Sequence, residues 1–329
     1  MHWDDRSVLV TGAGGFIGSH LVEALVHQRA KVRAFVHYNS RGDPGLLSHV
    51  SEPLLDDVEI VFGDLRDPSA VRHAIAGAST VFHLGAVVSI PYSYIHPYEV
   101  AETNLLGTLN LLQACREVKI ERLVHTSSSE VYGTALQVPI GEAHPLQGQS
   151  PYSASKIGAD KLVESYFCAY DLPVVTVRPF NTYGPRQSTR AVVPTIITQA
   201  LTRDKVALGN LEPRRDLTYV SDIVDGFLRA GQAPDIEGEV LNLGSGAEIS
   251  VGDLAGKIIR LVGRGTRIVE HEDRKRPARS EVQRLVADSS RARERLGWKP
   301  RISLEEGLAA TIRWISDNMQ GYRPGNYQV

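Results

Sequence analysis

The chain has 329 residues, 42% of them hydrophobic and 22% charged, enough for one large α/β unit or a large domain carrying a smaller one. That composition excludes a mini-protein, a fibrous repeat and a disordered chain, and 36 basic against 38 acidic residues, a formal net charge of −2 at pH 7, supply no broad field for nucleic acid or an anionic membrane. Any anion must therefore be gathered by local design.

Two cysteines, Cys115 and Cys168, both in apolar helical settings, argue against a disulfide framework and for a reducing cytoplasm. Met1 to Arg6 carry no cationic leader pattern, and the first apolar run, Val8-Leu9-Val10, is too short for a signal segment or a membrane span. The protein is expected to be cytoplasmic, without membrane, nucleic-acid or metal partners.

Apolar, β-rich runs recur at Val8 to Val10, Val32 to Val36, Val58 to Phe62, Thr80 to Leu84, Leu123 to Ser127 and Val174 to Val177. Amphipathic helices are predicted between them, roughly Gly15 to Gln28, Pro68 to Ala76, Tyr98 to Val118 and Tyr152 to Tyr170. Strands apolar throughout and separated by helices imply a parallel sheet covered on both faces, and right-handed crossovers make it a doubly wound α/β (Rossmann) sheet. Beyond Pro179 the chain becomes Pro/Gly-punctuated, with shorter helices near Ala191 to Thr202, Ser221 to Gly231, Val251 to Val262 and Leu304 to Met319, and one more strand at Val240 to Leu243. Residues 1–178 are read as the dinucleotide-binding unit, rejoined by 215–245, and 179–329 as mainly an interleaved, smaller C-terminal substrate-binding region.

The first strand runs into Thr11-Gly12-Ala13-Gly14-Gly15-Phe16-Ile17-Gly18. Gly12 permits the tight turn, Gly15 a close approach to a pyrophosphate and Gly18 close helix–strand packing, while the helix N-terminus at Phe16 and Ile17 offers N–H groups. Where an acidic residue would meet the ribose hydroxyls of NAD, the chain reads His37-Tyr38-Asn39-Ser40-Arg41. His37, Asn39, Ser40 and Arg41 could donate to a 2′-phosphate, so NADP is favoured over NAD. Asp64 and Leu65 after the third strand suit the adenine, and Leu84, Gly85 and Ala86 permit close cofactor approach.

Tyr152 and Lys156, four residues apart, share one helix face. A nearby ammonium and a positive nicotinamide both favour phenolate, so Tyr152 can take a proton from a sugar hydroxyl as hydride leaves the same carbon. Ser128, at the carboxyl edge of the preceding strand, can share that hydrogen bond, and Glu130, next to Ser129, stands ready for proton abstraction beside a transient ketone.

With Arg178-Pro179-Phe180-Asn181-Thr182-Tyr183-Gly184-Pro185-Arg186, Arg215-Asp216-Leu217-Thr218-Tyr219-Val220 and Leu296-Gly297-Trp298, these segments resemble the NAD-dependent epimerase/dehydratase family of extended short-chain dehydrogenases. Within it, Pro91-Tyr92-Ser93-Tyr94, Ser127 to Gly133 and His144 to Tyr152 are most similar to nucleotide-sugar 4,6-dehydratases acting on GDP- or UDP-N-acetylglucosamine. The resemblance implies that Ser128, Tyr152 and Lys156 carry out oxidoreduction, that Glu130 is the base at C5, and that Asn181, Arg186, Arg215 and Arg276 contact the sugar nucleotide. Ser89 and Asn104 fall at further positions near the substrate.

The implied cycle oxidises C4, eliminates water across C5 and C6 and returns hydride to C6, so that NAD(P) stays tightly bound. Ser129-Glu130 replaces the Asp-Glu pair of many hexose 4,6-dehydratases, which leaves Glu130 to act as base and then acid. A UDP-glucuronate decarboxylase, a 4-epimerase and a non-catalytic NADP-sensing scaffold are the alternatives. Relatives pair the helices at Tyr98 to Val118 and Tyr152 to Tyr170 across a dimer, which makes a homodimer the expected assembly.

Overall fold

In this computed structural model, residues 3–322 are described; residues 1–2 and 323–329, the outer ends of the two expected units, lie outside them. Six apolar runs form the first six strands: β1 (Ser7–Thr11), β2 (Lys31–His37), β3 (Val58–Gly63), β4 (Thr80–His83), β5 (Arg122–Thr126) and β6 (Val174–Pro179). The later strands are β7 (Asn181–Tyr183), β8 (Lys205–Leu208), β9 (Arg214–Tyr219), β10 (Val240–Leu243), β11 (Glu248–Ser250), β12 (Arg267–Glu270) and β13 (Arg284–Leu285). The main sheet runs β10-β6-β5-β4-β1-β2-β3, parallel throughout, so Val240 to Leu243 is the additional strand expected from the sequence. Chain order reverses between β1 and β4, the point at which open α/β sheets bind ligands.

The helices are α1 (Phe16–His27), α2 (Glu52–Leu55), α3 (Pro68–Ile75), α4 (Ile90–Ile95), α5 (Pro97–Ala101), α6 (Gly107–Val118), α7 (Pro151–Tyr170), α8 (Val192–Thr202), α9 (Val220–Ala230), α10 (Val251–Val262), α11 (Ser290–Leu296) and α12 (Leu304–Asp317). α1 and α9 bury Leu21, Leu25, Ile223 and Phe227 against one face of the sheet, and α3, α6 and α7 bury Val71, Leu111, Leu112 and Val163 against the other. A third core, with Ile196, Ile197, Leu254, Ile258 and Leu308, binds α8, α10 and α12 together.

The predicted helix Tyr98 to Val118 is interrupted. Between α5 and α6 the backbone widens into a π-helical turn, Glu102–Leu106, centred on buried Asn104. π-turns in helices frequently mark functional sites. Two small sheets that the sequence did not reveal complete the C-terminal region: β11-β9-β13 with β7 added to β9, and the pair β12-β8. β9 thus belongs to a small sheet rather than to the main one, and it brings Arg215 to the site.

Candidate active site

The glycine loop fits a dinucleotide by exclusion of side chains. Gly12 has φ +69°, and a Cβ there would lie 2.7 Å from the Gly85 nitrogen, so the ends of β1 and β4 touch backbone to backbone. A Cβ on Gly18 would come within 2.2 Å of the Gly12 carbonyl oxygen, whereas one on Gly15 meets only that oxygen, at 3.1 Å, and otherwise faces open space. Gly15 caps α1 without a side-chain hydrogen bond, and no acid stands in the first turn, which leaves the Phe16 and Ile17 end of the helix free to face an anion. Gly14, which sequence reasoning left without a role, accepts from Leu46 N–H at 2.9 Å and closes the loop against residues 44–46. A Cβ on Gly85 would press on Leu65, and one on Gly12 would press on Leu84 and Gly85, so these residues pack closely at the end of β4, with Ala86 following.

The loop after β2 corrects the expectation for the 2′-phosphate. Asn39 spends its side chain on its own loop: Oδ1 accepts from the Arg41 and Asp43 N–H groups, and Nδ2 donates to the Asp43 carbonyl. His37 Nε2 lies 3.6 Å from the Asp64 carboxylate. The Arg66 guanidinium grips that carboxylate at 2.6 Å and holds it below the usual range, so a fixed negative charge faces His37. Ser40 and Arg41 are exposed at the rim.

The residues predicted to be catalytic come together from three elements. A capping box between Ser150 and Ser153, with Pro151 at the first helical position, starts α7 so that Tyr152 lies in its first turn. Lys156 donates from Nζ to the Thr126 carbonyl at 2.6 Å. The Ser128 hydroxyl accepts from Glu130 N–H at 3.2 Å, caps the 3₁₀ turn Ser129–Tyr132 that carries Glu130, and lies near enough to the Tyr152 phenol to favour its ionised form. Ser129 is buried in the same turn.

Burial pushes the Tyr152 phenol up to about 12, against the pull of Ser128 and with Glu130 and Asp160 adding to it, and burial lowers Lys156 to about 8 while Asp160 opposes the fall. The expected lowering of Tyr152 by Lys156 does not arise here, and desolvation sets the direction. What this centre still calls for is a positive group beside the phenol.

Two guanidiniums gather at the Glu281 carboxylate. Arg215, buried, donates to Glu281 Oε1 at 3.3 Å, and Arg276 Nη1 lies 3.8 Å from the same oxygen without a hydrogen bond, although it is buried. Arg215 also feels the Glu130 charge, which ties the cation cluster to the proton-transfer residues. Asn181 has a buried Nδ2 with no protein partner. Buried donors left unpaired are costly, and an oxygen-rich ligand would satisfy both.

Three expected contacts find other work. Asn104 donates to the Val87 carbonyl at 3.0 Å and to Ser155 Oγ at 2.9 Å and accepts from Val87 N–H at 2.8 Å, so it pins the β4 loop to α7 and keeps no donor for substrate. Arg186 donates to Glu23 at 2.7 Å, within reach of Ser19, so it docks the β7 loop on α1 instead of joining Arg215. Ser89 caps α4 by accepting from Tyr92 N–H.

Sequence reasoning passed over Glu281 and a buried set behind Tyr152, made of Asp160, Arg178, His125 and Ser127. The spacing that exposed Lys156 repeats once more at Asp160 and was the available signal. Among the described residues no cluster of three or more His, Cys, Asp or Glu could hold a metal, and no helix is long and apolar enough to cross a membrane.

Comparison with known proteins agrees with this geometry. The family model "GDP-mannose 4,6 dehydratase" matches residues 9–311. A UDP-glucose 4-epimerase of Mycolicibacterium smegmatis is 35% identical over 95% of this chain and 99% of its own length, and a dTDP-glucose 4,6-dehydratase of Streptomyces antibioticus is 35% identical over 97% and 95%. The solved dTDP-glucose 4,6-dehydratase DesIV of Streptomyces venezuelae, with NAD and TYD bound, superposes with a TM-score of 0.86 at 29% identity, covering 97% of this chain and 99% of that one. With the glycine loop, the Tyr152–Lys156 helix and nearly the whole length matched, the chain belongs to the GDP-mannose 4,6 dehydratase family, among the NAD-dependent epimerases and dehydratases of the extended short-chain dehydrogenase/reductase group.

Proposed function

We propose that the protein is a nucleotide-sugar 4,6-dehydratase that converts an NDP-hexose, of the NDP-N-acetylglucosamine class, to its 4-keto-6-deoxy form. The observation that carries this reading is Glu130, a carboxylate on a turn capped by Ser128 and electrostatically coupled to both Tyr152 and Arg215. Tyr152 accepts the proton of the C4 hydroxyl, with Ser128 sharing its hydrogen bond. A C4 ketone acidifies the neighbouring C5 proton, which Glu130 takes; the protonated Glu130 then serves the departing C6 hydroxyl. Asn181, Arg215 and Arg276 hold the diphosphate.

The cofactor is NAD in this proposal, held by the loop of Gly12, Gly15 and Gly18 and by the walls at Asp64 and Gly85. When bound, it supplies the reversible hydride acceptor and the positive ring that Tyr152 needs. The Asp64 carboxylate beside His37 and the spent side chain of Asn39 disfavour the 2′-phosphate of NADP. We also propose a homodimer through α5, the π-turn, α6 and α7, where Tyr98 is 75%, Leu106 47% and Tyr170 48% exposed.

A second reading, 4-epimerisation, is favoured by the 35% identity to the M. smegmatis epimerase. It shares Tyr152 and Lys156 but gives Glu130 no proton to move. Incubation of the purified protein with GDP-, UDP- and dTDP-sugars, followed by mass analysis, separates them. A dehydratase yields a product lighter by one water; an isomer of unchanged mass supports the epimerase, and release of carbon dioxide from a glucuronate supports a decarboxylase.

A further inference from the structure

Three consecutive residues at the end of β5 face three positions of α7, two of them through hydrogen bonds. The Thr126 carbonyl accepts from Lys156, Ser127 Oγ donates to Asp160 Oδ2 at 2.7 Å, and the Ser128 hydroxyl meets the Tyr152 phenol. Asp160 stands four residues past Lys156 and eight past Tyr152, which puts all three on one helix stripe. Its buried carboxylate also accepts from Arg178 Nη2 at 2.9 Å and Nε at 3.2 Å, and lies 3.1 Å from His125 Nε2. Arg178 in turn donates to the Tyr132 hydroxyl at 3.0 Å, and Tyr132 ends the turn that carries Glu130 and donates to Asn242 on β10 at 2.7 Å.

We propose that Asp160, through its pairing with Arg178, is a positioning residue for the proton-transfer centre: it sets α7 in register with the end of β5 and with the Glu130 turn, and it places a buried negative charge one helical turn from Lys156. The inference rests on Tyr152 and Lys156 being the oxidoreduction pair and is indifferent to whether dehydration or epimerisation follows.

The charged and titratable groups that face Lys156 and Asp160 from the packed elements are His83 on β4, His125 on β5 and Arg178 on β6, with Tyr152 on α7 itself and Glu130 acting on Tyr152 from the 3₁₀ turn. Burial pushes both histidines below their ordinary range, so neither adds a cation near neutrality. Arg178 is committed to Asp160 and Tyr132. Asp160 is the charge that raises Lys156 against its burial, and it raises Tyr152 as well. Loss of this negative charge lowers both groups, and both limbs of a kcat–pH profile move to lower pH.

Two variants are needed because Asp160→Asn leaves a buried guanidinium without its counter-charge, whereas the double variant Asp160→Asn/Arg178→Gln removes both. The Lys156 ammonium is titrated by NMR in full-length protein labelled with side-chain ¹⁵N-lysine, its signal identified by absence in Lys156→Met. The midpoint, about 8 in the unsubstituted chain, is expected to fall by about one pH unit or more in whichever variant folds. In the holoenzyme, reduction of bound cofactor by a sugar nucleotide is expected to slow about tenfold or more, with KM within about threefold and the alkaline limb moved to lower pH.

An unmoved Lys156 midpoint, or a uniform loss of rate with unmoved limbs, overturns the inference. If no sugar nucleotide reduces the cofactor of the unsubstituted enzyme, the proposed function fails, while the lysine titration still decides the role of Asp160.

Discussion

Gly15→Ala and Gly18→Ala, three residues apart in one loop, are expected to fail in opposite ways. Gly15 has φ −85° and ψ 178°, ordinary extended backbone for alanine, and its new Cβ would meet only the Gly12 oxygen, at 3.1 Å. Folding stability should then change by no more than about 1 kcal/mol, since reduced freedom of the unfolded chain offsets the tight contact. The methyl group would nevertheless stand where a pyrophosphate must approach, and NAD affinity should drop at least about tenfold, on the order of 1.4 kcal/mol. At Gly18 the Cβ would sit 2.2 Å from a backbone oxygen and 2.9 Å from the Gly12 carbonyl carbon, which cannot swing away as a side chain would. Overpacking of that kind costs about 1–3 kcal/mol or more and should lower Tm, with NAD binding lost along with the loop. Thermal melts of the cofactor-stripped protein and calorimetric NAD titrations distinguish the two. Wild-type NAD affinity in Gly15→Ala would refute the assignment of this loop to the pyrophosphate.

Tyr152→Phe should abolish turnover, by about 10²-fold or more, with melting temperature and NAD affinity nearly intact; near-normal activity would remove Tyr152 from the chemistry. Glu130→Gln should still allow the bound cofactor to be reduced by substrate but slow elimination on the order of 10²-fold, because an amide cannot accept the C5 proton; single-turnover absorbance beside product analysis reads both steps. Arg186→Ala should lower stability through loss of its pair with Glu23 and leave KM for the sugar nucleotide within about threefold, whereas Arg215→Ala should raise KM; the reverse ranking would return Arg186 to the substrate. Light scattering at micromolar concentration should give twice the chain mass, and Tyr98→Glu combined with Tyr170→Glu should give a monomer.

What could be read from the sequence was what is local in it. The glycines at 12, 15 and 18, the four-residue step from Tyr152 to Lys156 and the apolar strand runs all declare themselves within a single element or turn, and the main sheet follows from their alternation. Residues whose partners lie far along the chain could not be sorted this way. Arg186 read as a sugar-nucleotide contact from its motif alone, and nothing local announced that Glu23, 163 residues earlier, would meet its guanidinium. Asn104 meets Ser155 across 51 residues, and Glu281 meets Arg215 across 66. Asn39 failed for a subtler reason: a short polar side chain in a loop competes for its own backbone before it can serve a ligand. The π-turn around Asn104 was hidden because its apolar pattern is that of an uninterrupted helix.

The central claim is that one site oxidises C4, takes the C5 proton through Glu130 and finishes at C6. It is tested most directly by running the unsubstituted enzyme in deuterated water on an accepted sugar nucleotide, with NMR analysis of the product. The account predicts a 4-keto-6-deoxy sugar with solvent deuterium at C5 and the original C4 hydrogen recovered at C6. A product that keeps its C6 hydroxyl, or a 6-deoxy product with no deuterium at C5, would contradict it.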